Sequence, residues 1–252
     1  MPIASQEYSE QQLQHAARQL GAGEMPAGWE LVASSSHARV ALQRQAQIYY
    51  KEFLPRGPLE KLKGLLRGSR ATRARNNSDK LLAAGFNAPH NLVAGKLPGG
   101  REYLFSSAVP GEGITHWLRD MLSQRDPQSL RLRRQLLREL GTFIGRLHAA
   151  GFIHGDLRPS NALALRAEGR FHFSLIDNER NTQGLPPPGK GLLKNLMQLN
   201  MLQPADLTRS DRWRFFRAWR EQMPELSELE ARELATEAYL WAMRRLRAKG
   251  KV

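Results

Sequence analysis

The chain contains no cysteine among its 252 residues. This absence excludes disulfide bonds and thiolate metal sites, and it is typical of proteins in a reducing compartment. No apolar run approaches the roughly 18 to 20 residues that a helix needs to cross a bilayer. The first twenty residues have neither a basic opening nor an apolar segment, so no secretory signal is predicted. These absences predict a cytoplasmic protein without a transmembrane helix.

Acidic residues are scarce: the sequence has 24 Asp and Glu but 38 Lys and Arg, which gives a formal net charge of +14. Such an imbalance favours anionic partners: nucleic acid, a phosphorylated glycolipid or an acidic membrane face. A well-solvated basic surface would give the same charge. The sequence has no zinc-finger spacing, no aromatic RNA-binding strand and no basic region joined to heptads. We therefore expect no sequence-specific binding to nucleic acid.

The most informative stretch that is present is GFIHGDLRPSN, residues 151 to 161, which LIDNER follows at residues 175 to 180. Asp156 and Asn161 lie five residues apart on a predicted tight loop, and Asp177 follows a strand-turn-strand segment. The pattern therefore predicts that one amide and two carboxylates converge.

This set matches the needs of phosphoryl transfer, which uses a carboxylate to orient the attacking hydroxyl, metal ligands for magnesium on the phosphates, and a cation for the developing charge. Asp156 is the candidate for the first role, Asn161 and Asp177 for the metal, and Arg158 for the cation. His154, the first residue of the pattern, is expected to brace the loop by hydrogen bonding.

Each of these residues alone is uninformative, because Asp and Asn are common in turns. The spacing H-x-D-x-x-x-x-N is more specific. It follows a long amphipathic helix and precedes an apolar run that ends in Asp, which is the context that a kinase motif requires.

HGDLRPSN and LIDNER, with YYKEF upstream and LLKNLMQLN and SDRWRFFRAW downstream, resemble the lipopolysaccharide kinase (Kdo/WaaP) family. The resemblance spans about Trp29 to Trp219. It implies ATP-dependent phosphorylation of a sugar, Kdo or heptose, in the inner core of lipopolysaccharide, with Mg²⁺ as the metal. An anionic glycolipid would then be the substrate, and a peripheral contact with the acidic inner face of the cytoplasmic membrane is an expected partner interaction.

The fold expected from the resemblance is α+β, two-lobed and protein-kinase-like. Residues 1–25 are predicted as an N-terminal helical extension that opens with a capping box at Ser9 to Gln12. Residues 26–108 are predicted as a nucleotide-binding lobe with a small antiparallel sheet, and residues 109–252 as a mainly helical catalytic lobe. The Pro/Gly-marked segment AVPGEG is the predicted boundary.

The nucleotide site is expected in the strand-rich lobe. Lys51, at a strand end within YYKEF, is the candidate for contacting the α- and β-phosphates, although a solvent-facing lysine is the commoner case. Ser35 and Ser36 occupy the turn that covers the phosphates in kinases. In the resembled fold, backbone groups around Ser107 and Val109 would meet adenine.

Two departures from kinases leave other functions open. The phosphate-covering turn lacks glycine, so close approach of the backbone is less free. The helix at residues 71–84 carries Asn76, Asn77 and Asp79 but no glutamate to pair with Lys51, which leaves Asn77 or Asp177 to hold the lysine. A small-molecule kinase of the aminoglycoside or choline type and a catalytically idle binding module are the alternatives.

The segment from Arg56 to Arg75 holds seven basic residues and one acid, which makes it the strongest local candidate for anion binding. It could face a membrane or the substrate core, or it could be a solvated flank whose leucines pack inward. A second basic cluster ends the last predicted helix, where cations suit the helix dipole and could also touch acidic lipid headgroups; it comprises Arg244, Arg245, Arg247, Lys249 and Lys251.

Overall fold

The computed structural model describes residues 8–54, 68–187 and 189–251. These residues divide into two compact units. The first unit lies within Met1–Ala83 and Ala88–Val109, and the second within Ala84–Asn87 and Pro110–Val252. The assignment of the first unit to nucleotide binding and of the second to catalysis stays a prediction.

The first unit is built on a five-stranded antiparallel sheet in the order β1-β2-β3-β5-β4. The strands predicted between residues 29 and 53 are confirmed, as are the two that follow. Alternate side chains of β3 are buried, which is the period of a sheet with one face on a core. The five strands are β1 Trp29–Val32, β2 Ala38–Gln43, β3 Ile48–Phe53, β4 Asn91–Lys96 and β5 Glu102–Ser107.

Helix α1, Glu10–Ala22, begins with the predicted capping box, in which the Gln12 N–H donates to the Ser9 hydroxyl at 3.2 Å and the Ser9 N–H donates to the Gln12 side chain at 2.8 Å. The helix is an integral part of the first unit. Its apolar face lies in the same buried cluster as sheet residues, including Leu13, Leu20, Tyr50 and Phe105.

A buried carboxylate joins α1 to the sheet through two arginines. Glu52 on β3 is fully buried and pairs with Arg101 at 2.5 Å and with Arg39 at 3.5 Å. The same arginines donate to the Leu20 and Gly21 carbonyls at the end of α1, at 2.7 and 3.1 Å. Because each arginine meets both the carboxylate and a helix carbonyl, these bonds hold α1 against the sheet.

The helices of the second unit include a short α3, Ile114–His116, which continues as a π-helical turn over Trp117–Met121. The longer ones are α4 Pro127–Ala149, α5 Gly189–Leu199, α6 Arg209–Arg220 and α7 Glu228–Arg247. Helices α6 and α7 both begin with capping boxes.

Two small sheets accompany these helices, in the orders β6-β8-β9 and β7-β10. The predicted strand-turn-strand segment before Asp177 is the β8–β9 hairpin. The strands are β6 Glu112–Gly113, β7 Phe152–Ile153, β8 Ala162–Ala167, β9 Arg170–Leu175 and β10 Thr182–Gln183.

Helices α4 and α6 pack in close contact. A Cβ added at Gly141 would collide with the Phe215 carbonyl of α6, and one added at Gly145 would lie 2.7 Å from the Trp219 carbonyl. Towards the other end of α4, Arg133 is buried and pairs with Asp211 of α6 at 3.0 Å. These contacts fix the two helices side by side.

The apolar row predicted on α4 is confirmed for Leu136, Leu140 and Leu147, which are all buried. Phe143 is half-buried and stacks on Phe173 of β9, with ring centroids 5.3 Å apart. Among the described helices, none combines the length and the apolar character that spanning a membrane requires.

Candidate active site

The candidate catalytic loop runs from His154 to Asn161, between β7 and β8 of the second unit. Its backbone is folded tightly, because the Arg158 N–H donates to the Asp156 carbonyl and the Asn161 N–H donates to the Arg158 carbonyl, both at 2.8 Å. The Asn161 side-chain amide also donates to the Asp156 carbonyl at 2.8 Å. The spacing of five residues therefore lets one amide side chain close the loop.

The Asp156 carboxylate is held at both oxygens. Its Oδ1 accepts from Gln198 Nε2 at 3.1 Å, and its Oδ2 accepts from Arg158 at 2.6 Å. The Asp156 side chain nevertheless remains 24% exposed and the Arg158 side chain 56% exposed. The carboxylate is thus oriented before any acceptor binds, and it can still be reached from solvent.

His154 braces the loop on two sides. The ring is buried, its Nε2 lies 3.1 Å from the Ile176 carbonyl, and its Nδ1 accepts from the Asp156 N–H at 3.1 Å. Burial lowers the pKa of His154, against the opposing effect of the Ile176 carbonyl. A neutral ring protonated at Nε2 satisfies both bonds. His154 therefore fixes the backbone of Asp156 by contacting main-chain groups.

Gly155 allows another segment to approach the loop. A Cβ at this position would collide with the backbone and Cβ of Arg180. The Gly155 N–H donates to the Asn181 side chain at 3.2 Å, and its carbonyl accepts from Lys194 at 3.1 Å. The residues that follow Asp177 are in this way attached to the catalytic loop.

Asn161 and Asp177 are brought to neighbouring positions by the β8–β9 hairpin. Ala162 is paired with Leu175, and the Ile176 N–H donates to the Asn161 carbonyl at 3.0 Å. Asp177 itself has a φ of +63°, a left-handed conformation that Asp tolerates better than most residues. Strained backbone of this kind is often found at functional sites.

Asn161 and Asp177 fit a magnesium site in which the protein supplies some of the ligands and substrate phosphates supply the others. The Asn161 amide nitrogen is turned to the Asp156 carbonyl, so its oxygen is the atom left for a cation. Within residues 8–54, 68–187 and 189–251, no group of three or more His, Cys, Asp or Glu could hold a metal by itself. Magnesium in phosphotransferases commonly uses one or two carboxylates plus substrate phosphates, which agrees with this small donor set.

A buried polar network behind Asp156 was missed by the sequence reasoning. Trp219 Nε1 donates to His148 Nδ1 at 2.9 Å, and His148 Nε2 lies 3.1 Å from Asn195 Oδ1. Asn195 donates to the His154 carbonyl at 2.5 Å, and Gln198 Nε2 donates to the Asp156 carboxylate. The available signal was the presence of two amides, Asn195 and Gln198, on the buried apolar face of α5.

Burial lowers the pKa of His148 to about 4, against the opposing hydrogen bond with Asn195. The ring is therefore neutral at physiological pH, donating to Asn195 and accepting from Trp219. The network runs from α6 through α4 and α5 to the catalytic loop, and every polar contact in it is internal to the second unit.

In the first unit, Lys51 is half-buried on β3, and its ammonium lies 5.3 Å from the centre of the Phe53 ring. Ser35 and Ser36 are exposed in the turn between β1 and β2. That turn is closed by its own hydroxyls, since Ser34 donates to the Ala38 carbonyl at 2.8 Å. Lys51 and the serine turn, which comprises Ser34, Ser35 and Ser36, thus belong to strands and a connection of the same sheet.

The predicted adenine-contacting groups are partly engaged within the first unit. The Ser107 N–H donates to the His90 carbonyl at 2.9 Å, and the Ser107 hydroxyl accepts from the His90 N–H at 3.0 Å. The Ala108 N–H donates to the Gln47 carbonyl at 2.7 Å. Val109, half-buried at the end of this unit, is the next residue along.

The interpretation of Arg56 to Arg75 as an anion-binding segment is wrong for Arg70. This residue is buried, donates to the His37 and Leu54 carbonyls at 3.0 Å, and lies 5.1 Å from the centre of the Phe53 ring. It therefore ties helix α2, Arg70–Ala83, to the sheet. Residues 55–67 of that segment lie outside the described residues.

Comparisons with known proteins agree with this architecture. Residues 34–219 match the model of the lipopolysaccharide kinase (Kdo/WaaP) family. Among solved structures, WaaP in complex with acyl carrier protein has a TM-score of 0.57 at 18% identity, covering 92% of this chain and 95% of that one.

The bifunctional kinase-methyltransferase WbdD has a TM-score of 0.50 at 22% identity, covering 86% of this chain and 50% of that one. An aminoglycoside phosphotransferase from Streptomyces rimosus reaches 0.49 at 16% identity, covering 93% and 99%. No curated protein matches the sequence. The structural likeness to WaaP confirms the predicted α+β, protein-kinase-like fold. Because the family model covers most of the sequence, the chain belongs to the lipopolysaccharide kinase (Kdo/WaaP) family and is a kinase that phosphorylates an alcohol group.

Proposed function

We propose that this protein transfers the γ-phosphoryl group of MgATP to a hydroxyl of a Kdo or heptose sugar in the inner core of lipopolysaccharide. The observation that carries the proposal is the Asp156 carboxylate, which is oriented by Gln198 and Arg158 yet partly exposed. Family membership narrows the acceptor to a sugar of lipopolysaccharide.

Asp156 would orient the acceptor hydroxyl and accept its proton. Since Gln198 holds Oδ1 from the protein side, Oδ2 is the oxygen shared between Arg158 and the hydroxyl. Arg158 has five N–H donors, of which one nitrogen meets Asp156, so the guanidinium can also donate to the oxygens of the transferring phosphoryl group.

Asn161 and Asp177 would hold magnesium on the phosphates. The ion, when bound, offsets the negative charge that develops on the phosphate oxygens. Lys51 would contact the α- and β-phosphates, and the serine turn at Ser35 and Ser36 would donate hydroxyl groups to them. The backbone near Ser107 and Val109 would meet adenine. Val109 would provide most of these contacts, because the Ser107 N–H already donates to the His90 carbonyl.

The test measures transfer of radiolabelled γ-phosphate from ATP to lipopolysaccharide inner core, with and without magnesium. Choline and aminoglycosides are assayed as alternative acceptors. We expect labelling of the inner core that requires magnesium. Asp156→Ala should abolish it, a loss of at least about a hundredfold, while nucleotide affinity stays within about twofold, because the base acts on the acceptor.

Three other outcomes would contradict the proposal, each in its own way. Labelling of choline or an aminoglycoside alone would favour a small-molecule kinase. Nucleotide binding without turnover on any acceptor would favour an idle binding module, to which the glycine-free turn and the missing helix glutamate point. Near wild-type turnover in Asp156→Ala would show that the chemistry lies elsewhere.

A further inference from the structure

The surface of the second unit carries a groove of about 860 Å³ between α4 and α6, which we call the arginine groove. Three of its arginines lie on α4, at a spacing of three and four residues that places them on one face of the helix. Two more lie three residues apart on α6. The groove is lined by Arg131, Arg134, Arg138, Arg214 and Arg217, with Trp213 at its side.

The walls of this groove are fixed by contacts already described. The two helices meet closely at Gly141 and Gly145, and the buried Arg133–Asp211 pair joins them further along. Packing of this kind holds the backbone positions of the arginines at fixed distances from one another. Little ordering of the backbone is therefore required when a ligand binds.

The groove has a large excess of positive charge. Arg131, Arg134, Arg138 and Arg217 are exposed, and none forms an ion pair with an acidic residue of the described chain. Arg214 lies 3.5 Å from Asp211, a carboxylate that Arg133 already shares. The one exposed carboxylate in the lining is Glu221. A cluster of uncompensated guanidinium groups is unfavourable unless an anion meets it.

Guanidinium groups bind phosphate through paired hydrogen bonds, so the chemistry of the groove fits phosphate esters. Trp213 is 56% exposed beside these arginines. An exposed tryptophan among basic residues is typical of a surface that lies at lipid headgroup level, because the ring is amphipathic. Proteins that bind single-stranded nucleic acid instead stack successive bases on several aromatic rings. The arginine groove has one such ring.

We propose that the arginine groove docks the protein on a membrane surface that displays anionic phospholipid headgroups. This inference rests on the proposed function, because an acceptor carried by a lipid brings the enzyme to a bilayer. It differs from the expectation that residues 56–75 or the C-terminal cluster make the membrane contact.

The experiment measures binding of the full chain to vesicles of phosphatidylcholine alone and of phosphatidylcholine with phosphatidylglycerol, by co-sedimentation across a salt series. The groove variant is Arg131→Gln, Arg134→Gln, Arg217→Gln. The matched control is Arg244→Gln, Arg245→Gln, Arg247→Gln, which removes the same charge from exposed arginines at the end of α7. Thermal melts confirm that both variants fold.

We expect wild type to bind the phosphatidylglycerol vesicles and not the neutral ones, with affinity falling as salt rises. Each basic residue near an acidic leaflet contributes about 1 kcal/mol, so the groove variant should lose about a hundredfold in affinity. The control should stay within about fivefold of wild type. Phosphorylation of a delipidated, soluble inner-core oligosaccharide should be unchanged in the groove variant.

Equal losses in the two variants would overturn the proposal, since bulk charge would then explain binding. So would unchanged vesicle binding in the groove variant. A groove variant that loses affinity for an oligonucleotide but not for vesicles would assign the groove to nucleic acid. Failure of the proposed function is distinguishable, because wild type would then label no inner core while the vesicle result stands by itself.

Discussion

Replacing Gln198 by Met should impair catalysis by releasing Asp156. Gln198 donates to the Asp156 carboxylate at 3.1 Å and accepts from the Leu157 N–H at 3.0 Å. Methionine keeps the length of the side chain but neither bond. A hydrogen bond to a charged acceptor contributes about 1.5 to 3 kcal/mol. If that contribution orients the base in the transition state, kcat should fall about 10- to 100-fold while KM for ATP stays unchanged.

Gln198→Met would also destabilise the protein, because the Leu157 N–H would lose its acceptor at a cost of roughly 1 to 3 kcal/mol. A purely structural role of Gln198 would produce this loss of stability alone. The control for that effect is Gln135→Met, which removes the bonds of Gln135 to Glu139 and to the Gly169 carbonyl elsewhere in the second unit. It should lower stability without changing kcat.

A double-mutant cycle separates positioning from general damage. In an Asp156→Asn background, Gln198→Met should cause no further loss of turnover, because the group that it positions is already disabled. Transfer of radiolabelled γ-phosphate detects the slow residual rate. Full additivity, with Gln198→Met costing the same factor in both backgrounds, would refute the reasoning.

Two further predictions concern the metal and the buried network. Asp177→Ala should weaken ATP binding in the presence of magnesium but not in its absence, because it removes the proposed carboxylate ligand of the metal. Calorimetry with and without magnesium tests this, and equal affinities of the variant and wild type would place the metal elsewhere. The pKa of His148 is about 4 in the fold and near 6.5 when unfolded, so its contribution to stability is present above pH 6.5 and is lost as the pH falls towards 4, by about 3 kcal/mol. The free energy of unfolding, measured with urea from pH 8 to 4.5, should therefore fall less steeply with pH for His148→Gln than for wild type. Parallel curves would exclude His148 as the titrating group.

Features made by neighbouring residues were predictable from the sequence. The capping box at Ser9 and Gln12, the β8–β9 hairpin and the closure of the catalytic loop each depend on residues a few positions apart. Asn161 reaches the Asp156 carbonyl because the two residues lie five positions apart in a tight turn. Short-range geometry of this kind depends on side-chain length and turn chemistry, both of which the sequence states directly.

Features that join distant segments were not predictable in the same way. The periodicity of an amphipathic helix shows which residues face a core, but not which helix they meet. Hence Gln198 was not connected to Asp156, 42 residues earlier, nor Trp219 to His148, 71 residues earlier. Arg70 was expected on a basic surface, yet it is buried because the carbonyls of His37 and Leu54 converge on it.

The arginine groove shows the same limit. Its two rows of arginines are unremarkable in sequence, since each row belongs to a separate helix and apolar residues lie between its arginines. Only the packing of α4 against α6 makes them one charged surface. The sequence by itself determined the family and the spacing of the motif on which the proposed loop chemistry rests, because a motif of fixed spacing needs only local backbone. The tertiary structure decided what orients the Asp156 carboxylate and where positive charge collects, because both depend on which helices touch.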